Sequence, residues 1–131
     1  MMFFEEFQEL AKAPRHLCAD LALEGPTMVS NPVCGDLARV ALTVRSGVVE
    51  KARYNAKGCW PVYGALELAC RRLENSELKQ TAQWSMQEFL SEVKEVPPSK
   101  RHAFSLAYRS AFLALGAVMN PGVFARETES E

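Results

Sequence analysis

Apolar positions along this chain recur first at helical spacing, then on every second residue, and then at helical spacing again. Phe3, Phe4, Phe7, Leu10 and Ala11 mark one face of a first helix of about three turns, which Pro14 stops. Residues 14 to 25 carry no such period and read as loop, punctuated by Pro14 and Gly25. Thr27-Met28-Val29 is short and rich in β-branched residues, as an edge strand would be. Ala38, Val40, Leu42 and Val44 then alternate with Arg39, Thr43 and Arg45. In the next run Ala52, Tyr54 and Ala56 alternate with Lys51, Arg53, Asn55 and Lys57. Val62, Leu66, Ala69 and Leu73 return to helical spacing, with Pro61 suited to the first turn. Ser85 and Glu88 have capping-box spacing ahead of Phe89, Leu90 and Val93. Val96-Pro97-Pro98 breaks that helix, because the residue before a proline disfavours the α region. Ser99 is placed to cap a last helix with the stripe Phe104, Tyr108, Ala111, Leu115 and Val118, which Asn120-Pro121-Gly122 ends.

Helix, small antiparallel sheet, then helices: this order predicts an α+β fold. A sheet of about three strands is covered on one face by helices, giving a two-layer sandwich. One domain over residues 1–119 is expected, followed by a disordered tail over 120–131, with no internal repeat.

The two alternating runs meet at Ser46-Gly47, the turn of a β-hairpin. Partner numbers in an antiparallel pair have a constant sum, so loop length decides which faces match. A three-residue loop centred on Ser46 or Gly47 sets Val40 opposite Ala52 or Tyr54, apolar against apolar. A two-residue Ser-Gly turn sets Val40 opposite Arg53 and is disfavoured. Either preferred register brings Cys34 across from Gly58 or Trp60, beside Cys59. Two thiols and the carboxylate of Asp36 then converge at one end of the hairpin, a candidate metal site.

Composition narrows the function classes. Among 131 residues, 15 Lys and Arg oppose 16 Asp and Glu, a net charge of −1. Such a balance gives no broad footprint for nucleic acid or an anionic membrane, and Arg71-Arg72 and Lys100-Arg101 read as solvated helix faces. The opening Met1-Met2-Phe3-Phe4-Glu5-Glu6 lacks the basic start and apolar run of a signal peptide. Ser105 to Met119 carries Arg109 and is too short to span a bilayer. A cytoplasmic location is expected, where four cysteines serve as thiols or ligands rather than disulfides. The chain holds no paired carboxylates in a cleft pattern, Gly-rich phosphate loop or nucleophile elbow, so an enzyme is not expected.

Each candidate residue has a plainer role to set against chemistry. Cys34 precedes a glycine in a turn, where backbone can wrap an ion, yet a free cysteine is often only a small buried hydrophobe. Asp36 can be a ligand, or the side chain of an Asx-turn that shapes the loop. Cys59 stands just before a helix, whose N-terminus favours negative charge. His102 lies in the first turn of the last helix, where a capping or surface role is the commoner one. Cys70 falls on or beside a core stripe and reads as packing; nothing specifies Cys18 or its neighbour His16. The chain has no Cys-x-x-Cys pair, which argues against a zinc ribbon or thioredoxin motif.

Taken together and in order, Cys34-Gly35-Asp36, Gly58-Cys59 and Pro97-Pro98-Ser99-Lys100-Arg101-His102 resemble the iron–sulfur cluster assembly scaffold family, the NifU-like domain of IscU type. The likeness runs from about Phe7 to Ala117 and includes Ala13-Pro14-Arg15, similar to the family's Asn-Pro-Arg stretch. Val96-Pro97-Pro98-Ser99-Lys100 is similar to the family's chaperone-recognition segment. The resemblance implies that Cys34, Asp36, Cys59 and His102 are ligands to iron, to an iron–sulfur cluster of the 2Fe–2S type or, alternatively, to zinc. Asp36 would be the exchange-prone ligand, and Lys100 would stabilise the anionic cluster. Thiolates suit clusters and zinc, while carboxylate or imidazole in place of further thiolates alters charge and tightness. The partners implied are a cysteine desulfurase, a chaperone at Val96–Lys100 and recipient apo-proteins.

Three positions depart from the family pattern. Ala103 stands where the family carries a third cysteine, immediately after the histidine. Trp60-Pro61 follows Cys59 where small residues are usual, and valine and serine replace leucine and valine in the proline segment. The expected function is a scaffold or carrier that binds a cluster or its iron and hands it on. A zinc-binding sulfur acceptor or desulfurase regulator is the alternative, and an interaction module with purely structural cysteines the third reading.

Overall fold

The computed structural model describes residues 1–120, so the expected tail over 120–131 lies, apart from Asn120, outside the described residues. A first helix, α1 (Phe4–Lys12), is followed by a long loop and the strands β1 (Val29–Asn31), β2 (Asp36–Arg45) and β3 (Val48–Lys57). The helices α2 (Trp60–Leu73), α3 (Leu78–Thr81), α4 (Met86–Leu90) and α5 (Arg101–Met119) come next, with a 3-10 turn at Pro98–Lys100 before the last. The three strands form one antiparallel sheet in the order β1-β2-β3. This is the α+β arrangement that the change of period predicts.

One sheet face is apolar and buried. Ala38 and Val40 of β2 point inward with Val49, Ala52, Tyr54 and Ala56 of β3. They join Val62, Leu66, Ala69 and Leu73 of α2 and Phe104, Ala107 and Ala111 of α5 in a single apolar cluster. Phe7 of α1 stacks on Phe104 with ring centroids 5.0 Å apart, tying the first helix to the last. The buried side of α5 includes Ala103, Leu106, Ser110 and Ala114, while Tyr108 is only half-buried and its hydroxyl donates to the Trp84 carbonyl at 2.7 Å. The stripe is therefore rotated toward small residues, which let α5 lie close to the sheet.

The hairpin corrects one expectation and bears out another. Val40 is opposite Tyr54, one of the two favoured pairings. The turn, however, is the two-residue Ser46-Gly47 that face matching disfavours, with φ of 54° and 76°. Positive φ at both positions is the type I′ geometry that matches strand twist. The two facts are reconciled by a bulge: Val44 pairs with Val49 but Thr43 with Lys51, so Glu50 is surplus in β3. The inward parity of β3 consequently switches from odd at Val49 to even at Ala52.

Capping follows sequence in one place and departs in another. Ser85 Oγ accepts the Glu88 N–H at 3.1 Å, and Glu88 Oε1 accepts the Ser85 N–H at 3.2 Å, the predicted capping box of α4. Ser99 does not cap α5: the residue before that helix is Lys100, which makes no side-chain cap bond. The 3-10 turn pulls Ser99 one step back from the cap position. The short α3, which hydrophobic period did not reveal, is held by Thr81 Oγ1 donating to the Glu77 carbonyl at 2.8 Å.

Candidate metal centre

Asp36 is the first residue of β2 and shares the inward parity of Ala38 and Val40. Its carboxylate thus ends up on the helix-covered face, only 6% exposed, near the start of α5. Cys34 lies in the four-residue turn between β1 and β2, before the β2–β3 ladder begins, and is exposed. That turn is held by Asn31, whose side-chain oxygen accepts the Val33 N–H at 3.1 Å while its carbonyl accepts the Gly35 N–H at 2.7 Å. Asn31, not Asp36, therefore makes the Asx-turn, and the Asp36 carboxylate is left for other work.

The start of α5 supplies the third group. His102 Nδ1 lies 3.0 Å from the Ser99 carbonyl oxygen. A carbonyl only accepts, so Nδ1 carries a proton and Nε2 is the ring nitrogen available to a metal. That Nε2 faces Asp36 Oδ2 at 3.8 Å. One ligand atom each from Cys34, Asp36 and His102 fall within 4.8 Å of one another. Tetrahedral zinc, with bonds of about 2.0–2.3 Å, sets its ligand atoms roughly 3.3–3.7 Å apart, so the trio needs only slight contraction to close on an ion. Asp36 Oδ2 is buried and has no hydrogen-bond donor. A buried carboxylate oxygen without a donor costs free energy unless a cation comes beside it, and this is what a metal would supply.

Cys59 is not part of that trio. It is the residue before α2, extended in backbone and exposed, and its side chain makes no cap bond. It follows Gly58, whose backbone abuts the Asp36 side chain, so the second thiol stands at the margin of the cluster. Lys100 directs its ammonium over the Trp60 ring, 5.7 Å from the centroid, a cation–π contact. Trp60 also packs against Phe4 and Phe7, each at 5.8 Å, so the indole is held by α1. Ala103 is fully buried in the core cluster. In the proline segment Val96 is buried, whereas Pro98 and Ser99 are exposed.

A second polar cluster was not legible in advance. Glu67 of α2 is fully buried, its Oε1 accepting the Arg15 and His16 N–H groups at 2.8 and 2.9 Å. Its Oε2 meets His16 Nδ1 at 2.6 Å and the Arg71 guanidinium at 3.0 Å. His16 Nε2 reaches Glu74 at 3.1 Å. Burial alone would push the Glu67 carboxyl up, but the His16 and Arg15 N–H groups, the imidazole and Arg71 outweigh it and hold it below the usual range. Burial raises the Tyr54 phenol and the Cys70 thiol, and the nearby Glu67 charge adds to both shifts. This network clamps the 15–18 loop onto β3, where Tyr54 N–H donates to the His16 carbonyl at 3.0 Å and Cys18 N–H to the Tyr54 carbonyl at 2.7 Å. A cleft of about 810 Å³ borders it, lined by Arg15, Cys18, Lys51, Arg53 and Glu74 among others, and contains no member of the trio. Glu67 and Arg71 four residues apart within a largely apolar helix were the available signal.

Comparison with known proteins gives the same ordering of features a family. The model of the NifU-like N-terminal domain matches residues 3–120. The iron–sulfur cluster assembly scaffold protein IscU of Azotobacter vinelandii is 30% identical over 84 residues, 63% of this chain and 65% of that protein. The scaffold protein IscU 1 of Archaeoglobus fulgidus is 23% identical over 104 residues, 79% of this chain and again 65% of the relative. The chain thus spans just under two thirds of the length of these curated relatives. A crystal structure titled as a nitrogen-fixing NifU-like protein (N-terminal) from Brucella abortus aligns with a TM-score of 0.53 at 20% identity, covering 97% of this chain and 94% of its own, a likeness of fold. With the domain model spanning nearly all the described residues, the chain belongs to the NifU-like N-terminal domain family.

Proposed function

We propose that this protein is an iron–sulfur cluster assembly scaffold, holding iron or a cluster as cargo and passing it on. The observation that carries this reading is the buried Asp36 oxygen without a donor, set beside His102 Nε2 and the Cys34 thiol. Family membership and the printed roles of its relatives support the same reading. Cys59, exposed at the margin, joins the trio as a further sulfur ligand, and Lys100 balances negative charge on the cargo. One buried carboxylate beside exposed thiols makes a site that is selective yet open to exchange, as transfer requires. A cluster of the 2Fe–2S type, a cysteine desulfurase as sulfur source, a chaperone at Val96–Lys100 and cytoplasmic recipient proteins complete the proposal. The role is a binding one rather than an enzymatic one. Among the described residues no helix is long and apolar enough to cross a membrane.

The test is anaerobic incubation with iron and sulfide. A visible chromophore that Cys34→Ser and Cys59→Ser each abolish is the expected result. A protein that stays colourless where an ordinary scaffold loads would count against cluster binding.

A zinc-binding sulfur acceptor or desulfurase regulator is the second reading. It is favoured by the make-up of the compact trio, one sulfur with one oxygen and one nitrogen, and by Ala103 in place of another thiol. Stoichiometric zinc in protein isolated without added metal, with altered desulfurase activity, would select it.

A further inference from the structure

The geometry points to Gly58 as a positioning residue that seats the Asp36 carboxylate in the metal site. This inference rests on the metal-binding reading of the trio and assigns a role to a residue that offers no ligand of its own.

Leu37 pairs with Lys57, and one step further the ladder sets Asp36 over Gly58. A Cβ built on Gly58 would lie 2.7 Å from Asp36 Oδ1, 3.0 Å from its Cγ and 3.3 Å from its Cβ. Non-bonded carbon and oxygen do not approach that closely, so the carboxylate occupies the volume a side chain would fill. Backbone conformation does not explain the glycine, because Gly58 is absent from the glycines with positive φ, which are Gly25, Gly35 and Gly47 among the described residues. The requirement is one of space.

Confinement matters here because Asp36 Oδ2 has no hydrogen-bond donor to orient it. Carboxylates in metal sites are usually aimed by hydrogen bonds from surrounding groups. At this oxygen that support is missing, and the slot over Gly58 does the aiming, leaving Oδ2 turned toward His102 Nε2. A methyl group at Gly58 would drive the carboxylate from the slot and misplace it, since the three nearest atoms it would meet all belong to Asp36.

The experiment is a double-mutant cycle on the full chain, with cobalt(II) alone as probe. Affinity is read by competition with a chelator, and coordination by the ligand-field bands of the bound ion. Gly58→Ala is expected to weaken cobalt binding about tenfold or more and to change the bands as Asp36→Ala does. In the Asp36→Ala background, Gly58→Ala is expected to cost nothing further, since the carboxylate it displaces is gone. Thermal melts of the four metal-free proteins read the same coupling separately: Gly58→Ala lowers the melting temperature with Asp36 present and lowers it much less in the Asp36→Ala background, where only the 3.3 Å approach to Cβ is left. Should Gly58→Ala alone fail to fold, Asp36→Ala with and without it still decides, because the contacts at 2.7 and 3.0 Å are gone there and only the 3.3 Å approach to Cβ remains. Wild-type affinity in Gly58→Ala, or equal losses in both backgrounds, would overturn the inference. A wild-type protein that takes up no cobalt would instead overturn the metal-site reading, while the melts still report whether Gly58 acts through Asp36.

Discussion

His102 Nε2 and Asp36 Oδ2 face each other across 3.8 Å, an imidazole nitrogen against a buried carboxylate oxygen. At that distance they do not hydrogen-bond, and Oδ2 has no other donor. Binding chemistry and fold stability therefore oppose one another at Asp36. Asp36→Ala is expected to stabilise the metal-free protein by about 1–2 kcal/mol, the cost of an unpaired buried polar group. The same substitution is expected to shrink the stabilisation that zinc confers. Urea unfolding with and without zinc measures both, and a metal-free midpoint that falls would refute the first expectation.

Thiol reactivity should sort the four cysteines by their surroundings. Cys34 and Cys59 are exposed, Cys18 is half-buried, and Cys70 is fully buried with its thiol pushed up by burial and by Glu67 and Glu74. A chromogenic aryl disulfide is expected to titrate Cys34 and Cys59 quickly in the native protein and Cys70 only after unfolding. Added zinc is expected to slow Cys34 most, because its sulfur belongs to the trio.

Restoring a third thiol tests what the missing one costs. Ala103 follows His102 and is fully buried, and cysteine is a small residue that tolerates such a place. Ala103→Cys is expected to fold and to prolong retention of a loaded cluster against a chelator, followed as decay of visible absorbance. Equal decay rates would show that the buried position cannot reach the cargo.

Acid should weaken the fold through the carboxyls of α2 and its C-terminal end. Glu67 and Glu74 are both held below the ordinary 4.5. At Glu74 burial acts upward, but the Ala52 N–H and His16 prevail. A carboxyl depressed on folding contributes its full stability above about pH 4.5 and loses it as pH falls through the lower folded value. Urea midpoints are therefore expected to be flat from pH 7 to about 5 with respect to these groups and to fall below that. Glu67→Gln, which leaves Arg71 without its buried counter-charge, is expected to cost on the order of 3 kcal/mol at pH 7 and to flatten the acid limb.

Much of this was legible because burial imposes period. The alternation of Ala38, Val40, Ala52 and Tyr54 fixed the strands, and the Ser85–Glu88 spacing fixed a helix start. Pairing brought Cys34, Asp36 and Cys59 to one end of the hairpin and only the family resemblance added His102, whereas the compact trio holds His102 and leaves Cys59 outside. The tip of the hairpin misled because a constant pairing sum assumes an unbroken ladder. Val49 and Ala52, both apolar but three apart, were the trace of the interruption. Glu67 escaped notice because a single buried charge leaves no period, and its partners His16 and Arg15 come from a loop about fifty residues away.

The surplus Glu50 reaches further than its exposed position suggests. Were the ribbon to zip up without that interruption, each upstream partner would slip by one, and Asp36 would rest on the long side chain of Lys57 instead of bare backbone. The berth for the carboxylate is thus set from the remote tip of the hairpin. Excising Glu50 should be benign, since Thr43 would still meet Lys51, while inserting one residue beside it should shift every downstream neighbour of the ligand turn.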